Sequence, residues 1–194
     1  PLIISDGCCV HFGNAPALES VNFSIDKGKK VAVVGPNGGG KSTLFNAIAG
    51  LIPLTEGSLT IKGKSPEDAK GTVSYVPQKD LMNWNFPLSV KQVVEMGLTN
   101  RNTISIFSRK KINNKIEKAL ENVGLLEKIN ENIKSLSGGQ LQRVLIARAL
   151  AQDADILLLD EAFSAVHVGA QEDIMQLINN INLDGKTSLI ATHD

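Results

Sequence analysis

The sequence predicts an α/β fold in which helices cover a mostly parallel sheet. Strand-like and helix-like segments alternate along most of the 194 residues. The strand-like segments at 29–35 and 154–161 are nearly continuous apolar runs, which are typical of parallel strands buried on both faces. A stretch of purely helical pattern interrupts the alternation at about 81–135.

The elements outside that stretch follow from their local patterns. The segment "KKVAVVG" at 29–35 is rich in β-branched residues and ends in Gly, as a buried strand does. A helix is predicted from 41 to 51, ending near Gly50. The other predicted elements are strands in "GSLTIKG", "GTVSYVPQ", 154–161 and 187–193, and a helix at 170–182.

The interrupting stretch is predicted to be a helical insertion. One helix begins at Ser89, and a second begins at Ser108 and ends at Gly124, because Ser is a favoured helix N-cap and Gly a favoured terminator. The predicted division of the chain is a core of 1–80 and 136–194 and a helical subdomain of 81–135.

Composition and charge exclude several classes of protein. Lys plus Arg and Asp plus Glu both number 20, so the chain lacks the basic surface of a nucleic-acid-binding domain. The longest apolar runs, such as 156–159, are far shorter than the roughly 20 residues that span a bilayer, and no signal peptide is visible. We therefore expect a globular domain.

Two further features concern the compartment and the chain ends. Cys8 and Cys9 are adjacent and form neither a disulfide framework nor a metal-ligand spacing, so we expect a reducing compartment. The chain starts at Pro1 without Met and stops at Asp194 just after an apolar run, so we expect a fragment that is cut at both ends.

A phosphate-binding loop is predicted at 35–43. The sequence "GPNGGGKS" matches G-x-x-x-x-G-K-[ST], and it follows a predicted strand and opens a predicted helix. Glycines let backbone N–H groups surround phosphate oxygens, and the helix N-terminus adds partial positive charge. Lys41 would reach the β- and γ-phosphates and Ser42 would ligate Mg²⁺. The alternative is a glycine-rich turn without a ligand.

An acidic pair follows the apolar strand "ILLL". Asp160 would hold Mg²⁺, and Glu161 would orient or deprotonate an attacking water. The alternative is that both are ordinary loop carboxylates.

Several motifs together resemble one family. "GPNGGGKST", Gln78 in "VPQ", "LSGGQLQR", "ILLLDEA" and "THD" occur in this order, and over nearly the whole chain they resemble the ATPase subunit of an ABC (ATP-binding cassette) transporter. The resemblance implies a P-loop ATPase fold with an N-terminal antiparallel β portion, and ATP and Mg²⁺ as ligands. It also implies that two such domains close head to tail, each "LSGGQ" turn contacting the ATP held by the other domain.

The resemblance assigns site residues by position. The nucleotide-binding set is Phe12, Gly35, Pro36, Asn37, Gly38, Gly39, Gly40, Lys41, Ser42 and Thr43. The signature set, which binds the ATP of the second domain, is Leu136, Ser137, Gly138, Gly139 and Gln140. The Mg²⁺ ligands are Ser42, Gln78 and Asp160, and the catalytic set is Glu161, His193, Gln78 and Lys41.

Some of these assignments have structural alternatives. Phe12 stands where the family has an aromatic residue, usually Tyr, that stacks on adenine, but it could instead pack in the core. Gln78 could be a polar turn residue beside Pro77. The serine and glycines of the signature turn could start a helix without any phosphate partner.

The chain departs from the family pattern at two positions. Ala162 stands where the family commonly has Pro, and His167 stands where it has an Asp in the dimer-contacting loop. Because a neutral imidazole differs from a carboxylate in charge and reach, we expect weaker coupling between the two ATP sites and slower hydrolysis, without loss of ATP binding.

The stretch around Trp84 bears on the transported substrate. "VPQKDLMNWNFPLSVKQVVEMGL" is similar to the segment that faces the membrane partner in manganese, zinc and iron importers, although Trp84 could be core filler. The implied partners are a second ATPase subunit, two membrane permease subunits and an extracytoplasmic substrate-binding protein, with the chain at the cytoplasmic face of the membrane. His11, His167 and His193 form no metal-binding pattern, so we expect the transported metal not to bind here.

Three other functions remain open from the sequence. An importer ATPase for iron chelates or amino acids would share every catalytic feature. A soluble ABC-type ATPase for DNA repair or translation would need long coiled coils or a second cassette. A regulatory subunit that binds ATP but hydrolyses it weakly is compatible with His167.

Overall fold

The computed structural model describes residues 1–78, 87–98, 106–161 and 168–192, and this part of the chain contains seven strands and five α-helices. The strands are β1 (Ile3–Phe12), β2 (Ala15–Ile25), β3 (Lys30–Val34), β4 (Glu56–Ile61), β5 (Val73–Val76), β6 (Ile156–Asp160) and β7 (Thr187–Thr192). The helices are α1 (Lys41–Ile48), α2 (Val90–Met96), α3 (Ile106–Asn122), α4 (Gly138–Ala151) and α5 (Val168–Leu183). Among the described helices, none has the length and hydropathy needed to cross a membrane.

Four strands form the parallel sheet, in the order β3-β7-β6-β5. Every residue of β6 is buried, as is all of β7 except its last residue, whereas β3 lies at the edge and is partly exposed. The continuous apolar pattern of β6 is therefore explained by a central position. The predicted parallel sheet is confirmed.

The N-terminal strands form a separate antiparallel sheet in the order β2-β1-β4. Ile3 of β1 pairs with Ile25 on one side and Ile61 on the other. One hydrophobic core joins both sheets to α1, and its members include Phe45 and Ile48 of that helix. The expected antiparallel portion is confirmed.

The helix boundaries test the capping arguments. Ser89 caps α2 as predicted, and its side chain accepts a hydrogen bond from the Gln92 N–H. Gly124 adopts a left-handed conformation (φ 69°) just beyond α3, as expected of a terminator. The predicted start at Ser108 is wrong, because α3 already begins at Ile106. Serine is tolerated inside a helix, so a serine alone places a boundary only to within one or two residues.

The described chain divides into two compact units. The first comprises Pro1–Pro77, Ala154–Ala162 and Asn179–Asp194, and it holds both sheets and α1. The second comprises Gln78–Asp153 and Phe163–Ile178, and within it α4 contacts α2 and α3.

Candidate functional site

The carboxyl ends of three parallel strands meet at one edge of the sheet. Val34, the last residue of β3, pairs with Thr192 at the end of β7, and Asp160, at the end of β6, pairs with Ala191. The chain continues this alignment past β3, because the Gly35 N–H donates to the Thr192 carbonyl oxygen at 3.3 Å. The start of the glycine-rich loop and the acidic pair therefore share an edge of the sheet.

The glycine-rich loop makes a tight turn before α1. The Gly39 N–H donates to the Pro36 carbonyl oxygen at 3.0 Å. Gly40 occupies the N-cap position with φ 82°, and a Cβ there would lie 2.5 Å from the Ala17 carbonyl oxygen and 2.9 Å from a Leu18 methyl carbon. Only glycine meets both the torsion and the space at this position.

Lys41 turns back over this loop. Its side chain is buried (7% exposed), and its Nζ donates to the carbonyl oxygens of Gly35 at 2.5 Å and Pro36 at 2.8 Å. The first-turn N–H groups of α1, including those of Ser42 and Thr43, have no acceptor inside the helix, and Gly40 has no side chain to cap them. An ammonium group and uncapped N–H groups at one helix start form an anion-binding site.

Asp160 has one buried carboxylate oxygen that could bind a cation. The residue is 1% exposed, and its Oδ2 accepts a hydrogen bond from the Tyr75 hydroxyl at 3.0 Å. Its Oδ1 is buried and receives no hydrogen bond from any residue that the structure describes. A buried carboxylate oxygen without a donor is unfavourable, and a hard cation such as Mg²⁺ prefers oxygen ligands of this kind. Asp160 and the half-buried Ser42 therefore fit a Mg²⁺ site.

Tyr75 is held in the donor state. Burial, followed by the charge of Asp160 and the hydrogen bond to it, raises the pKa of the Tyr75 hydroxyl above its ordinary value. The hydroxyl therefore stays protonated and donates to the carboxylate. Tyr75 is not among the site residues predicted from the sequence, because the residue pattern of a strand does not identify the strand beside it.

Glu161 follows β6 in an unusual backbone conformation. Its φ is 47°, in the left-handed region, and its N–H donates to the Ala191 carbonyl oxygen at 3.1 Å. For a residue with a Cβ this conformation costs on the order of 1 kcal/mol, and such residues cluster at functional sites. The extended backbone of β6 therefore ends directly before Glu161.

Phe12 lies at the end of β1, next to the turn that leads into β2. Its side chain is 60% exposed. The core-packing alternative is therefore excluded, and the ring is a free apolar surface.

The signature turn starts α4 through a reciprocal cap. The Ser137 Oγ accepts a hydrogen bond from the Gln140 N–H at 3.2 Å, and the Gln140 Oε1 accepts one from the Ser137 N–H at 3.0 Å. The Leu136 N–H donates to the Ile133 carbonyl oxygen at 3.3 Å. The Ser137 hydroxyl still has its own proton to donate. The helix start is thus stable without a ligand and retains donors for one.

The remaining residues singled out in the sequence differ in whether the structure describes them. Trp84, Ala162, His167 and His193 lie outside the described residues. Gln78 is described and is half-buried, two residues after β5 ends. Within the described ranges, no group of three or more His, Cys, Asp or Glu side chains could hold a metal ion.

Comparison with known proteins reveals close relatives. The family model for the ABC transporter matches residues 18–164. The manganese transport system ATP-binding protein MntB of Bacillus subtilis (strain 168) is 40% identical over 191 residues, which cover 97% of this chain and 76% of that protein. The zinc transport system ATP-binding protein TroB of Treponema pallidum (strain Nichols) is 38% identical over 97% of this chain and 71% of its own length.

Solved structures agree with the fold. The structure of cbiO1 from Clostridium perfringens, part of the ABC transporter complex cbiONQ, superposes with a TM-score of 0.86 at 27% identity, covering 100% of this chain and 78% of that one. The dimeric structure of MJ0796, a bacterial ABC transporter cassette, has a TM-score of 0.81 at 33% identity, covering 99% and 88%.

Proposed function

Because this chain belongs to the ABC transporter family and is an ATPase of that family, we propose that it powers the import of a divalent transition metal, namely manganese, zinc or iron. The observation that supports this substrate class is the identity of 38–40% to manganese and zinc transport ATP-binding proteins over 97% of the chain.

In the proposed mechanism, the ATP phosphates lie over the first turn of α1. The N–H groups of Ser42 and Thr43 and the partial positive charge of the helix start bind them. Lys41 exchanges the carbonyl oxygens of Gly35 and Pro36 for β- and γ-phosphate oxygens. Its ammonium group is already inside the loop, so little rearrangement is needed.

Asp160 and Ser42 are the proposed Mg²⁺ ligands, together with Gln78 from the family pattern. When bound there, Mg²⁺ would supply positive charge that offsets the negative charge of the ATP phosphates. Glu161, directly after Asp160, accepts the proton of the attacking water. His193 donates to the γ-phosphate in this proposal, as the family resemblance implies.

The proposed assembly is a head-to-tail pair of ATPase subunits. The signature turn of a second copy, Leu136 to Gln140, contributes the Ser137 hydroxyl and the N–H groups of Gly138 and Gly139 to the γ-phosphate. The solved MJ0796 cassette is dimeric. We propose that the pair docks on two permease subunits at the cytoplasmic face of the membrane, with a substrate-binding protein on the other side.

The proposed domain division assigns 1–80 and 136–194 to the nucleotide-binding core. The helical subdomain, 81–135, would carry the contacts to the permease, as the family resemblance implies.

Uptake of radiolabelled manganese, zinc and iron tests the proposed substrate class. Cells would express the complete chain with its permease, and a Glu161→Gln variant would serve as the hydrolysis-deficient control. Uptake of one metal that is lost in the control is the expected result. A complex that hydrolyses ATP without importing any of the three metals would contradict the metal assignment and leave the ATPase intact.

A regulatory subunit with weak hydrolysis is the second candidate, and His167 favours it. Replacing His167 with Asp in the complete chain is expected to raise ATP turnover and ATP-induced dimerisation. Unchanged values of both would remove the reason to consider this candidate.

A further inference from the structure

Tyr75 lies on the same face of the parallel sheet as Asp160. Tyr75 of β5 pairs with Leu158 of β6, and side chains two residues apart on a strand point to the same face. Asp160, two residues after Leu158, therefore lies diagonally across from the Tyr75 ring. At this separation the long tyrosine side chain reaches the carboxylate, and its hydroxyl donates to Oδ2 at 3.0 Å.

The Tyr75 ring also contacts the helix that follows the phosphate loop. Its centroid lies 6.4 Å from that of Phe45, with the two rings at 89° in an edge-to-face arrangement. Phe45 is fully buried in α1, four residues after Lys41. The ring of Tyr75 is thus held against Phe45 of α1, and its hydroxyl is held by Asp160.

This arrangement divides the two oxygens of Asp160 between two tasks. Oδ2 is occupied by the Tyr75 hydroxyl, whereas Oδ1 is buried without a donor from the described residues. A carboxylate held by one oxygen cannot rotate freely, so the direction of the other oxygen is set. Groups that orient a metal ligand in this way strongly influence metal affinity.

We propose that Tyr75 is a positioning residue for Mg²⁺, because it holds Oδ2 of the Asp160 carboxylate and leaves Oδ1 as the oxygen that would bind the metal. This inference rests on the proposed ATP and Mg²⁺ site and is independent of the imported substrate. The alternative is that the hydrogen bond only ties β5 to β6.

Tyr75→Phe separates these possibilities, because it removes the hydroxyl and keeps the ring against Phe45. The matched control is Ser5→Ala, which removes a buried hydroxyl that donates to the Val21 carbonyl oxygen at 2.7 Å in the antiparallel sheet. Binding of a fluorescent ATP analogue to the complete chain is measured across a Mg²⁺ titration and in EDTA. Thermal unfolding of the nucleotide-free variants is followed in parallel.

The Mg²⁺ concentration for half-maximal binding is expected to rise roughly tenfold in Tyr75→Phe and to stay unchanged in Ser5→Ala. Affinity for the analogue in EDTA should be the same in all three proteins. An unchanged midpoint in Tyr75→Phe, or an equal shift in both variants, would show that the hydroxyl is only structural. Binding by the wild type that ignores Mg²⁺ would overturn the proposed metal site itself, and with it the role of Tyr75.

Discussion

Two glycine-rich segments of this chain each lead into a helix, yet they start those helices in different ways. α1 follows Gly40, which adopts φ 82° and offers no capping side chain. α4 follows Ser137, whose hydroxyl and backbone N–H are both paired with Gln140. The first helix start is therefore incomplete without a ligand, and the second is complete as an ordinary helix.

A third helix start makes this contrast clearer. α2 begins with the same reciprocal cap, formed by Ser89 and Gln92. The capping box at Ser137 is thus a common way to start a helix, and it does not by itself indicate phosphate binding. The distinguishing feature of the signature turn is the pair Gly138 and Gly139, which have no side chains to cover the first turn of the helix. In the proposed dimer, this cap would keep the helix start folded before the ATP of the second subunit binds.

Removing the Lys41 ammonium group at the start of α1 should have the largest effect on ATP turnover. Lys41→Ala is expected to lower ATP turnover of the complete chain on the order of 10²–10³-fold, because one donor to the developing charge of the transition state is lost. A steady-state phosphate-release assay measures this. The matched control is Lys62→Ala, since Lys62 forms an exposed ion pair with Asp155. A similar loss in the control would mean that Lys41 has no special role.

The requirement for glycine at position 40 of the glycine-rich loop can be tested in the absence of nucleotide. Gly40→Ala is expected to lower the free energy of unfolding by about 3 kcal/mol, because it combines a left-handed torsion with overlap against Ala17 and Leu18. Gly28→Ala is the control, since Gly28 has φ 78° with open space around it, and it should cost only about 1 kcal/mol. Urea unfolding measures both. Equal losses would show that the loop is not tightly packed.

The exposed ring of Phe12 is expected to stack on the adenine of the ATP bound at the start of α1 and to have no role at the signature turn. Phe12→Ala should weaken ATP binding roughly tenfold, as loss of one stacking contact to a base does. Its free energy of unfolding should change by no more than about 0.5 kcal/mol, because the side chain is 60% exposed. Phe12→Tyr should retain wild-type affinity in the same fluorescence titration. If Phe12→Ala binds ATP normally, adenine lies elsewhere.

The two capping boxes give the smallest effect and the sharpest comparison. Ser137→Ala and Ser89→Ala should each lower the free energy of unfolding by about 1 kcal/mol, because each removes an equivalent cap. Only Ser137→Ala should also reduce ATP-induced dimerisation, measured by light scattering. Loss of dimerisation in both variants would indicate a general effect of helix fraying. Loss in neither would remove the proposed role of the signature turn.

The sequence by itself predicted the features that depend on local pattern. Continuous apolar runs predicted the parallel strands, and the spacing of glycines before Lys41 predicted a turn at a helix start. Serine caps predicted the beginning of α2, whereas the same argument misplaced the start of α3 by two residues, at Ser108 instead of Ile106. Capping is a short-range preference of modest energy, so it is overridden when neighbouring residues continue the helix.

Only the tertiary structure decided which distant segments meet. β7, near the end of the chain, lies between β3 and β6, and this order brings Gly35, Asp160 and Thr192 to one edge of the sheet. The contact between Tyr75 and Asp160 depends on the same choice of neighbours. The residue pattern of a strand indicates whether the strand is buried. It does not identify the neighbouring strands, because strand pairing is set by the packing of the whole core.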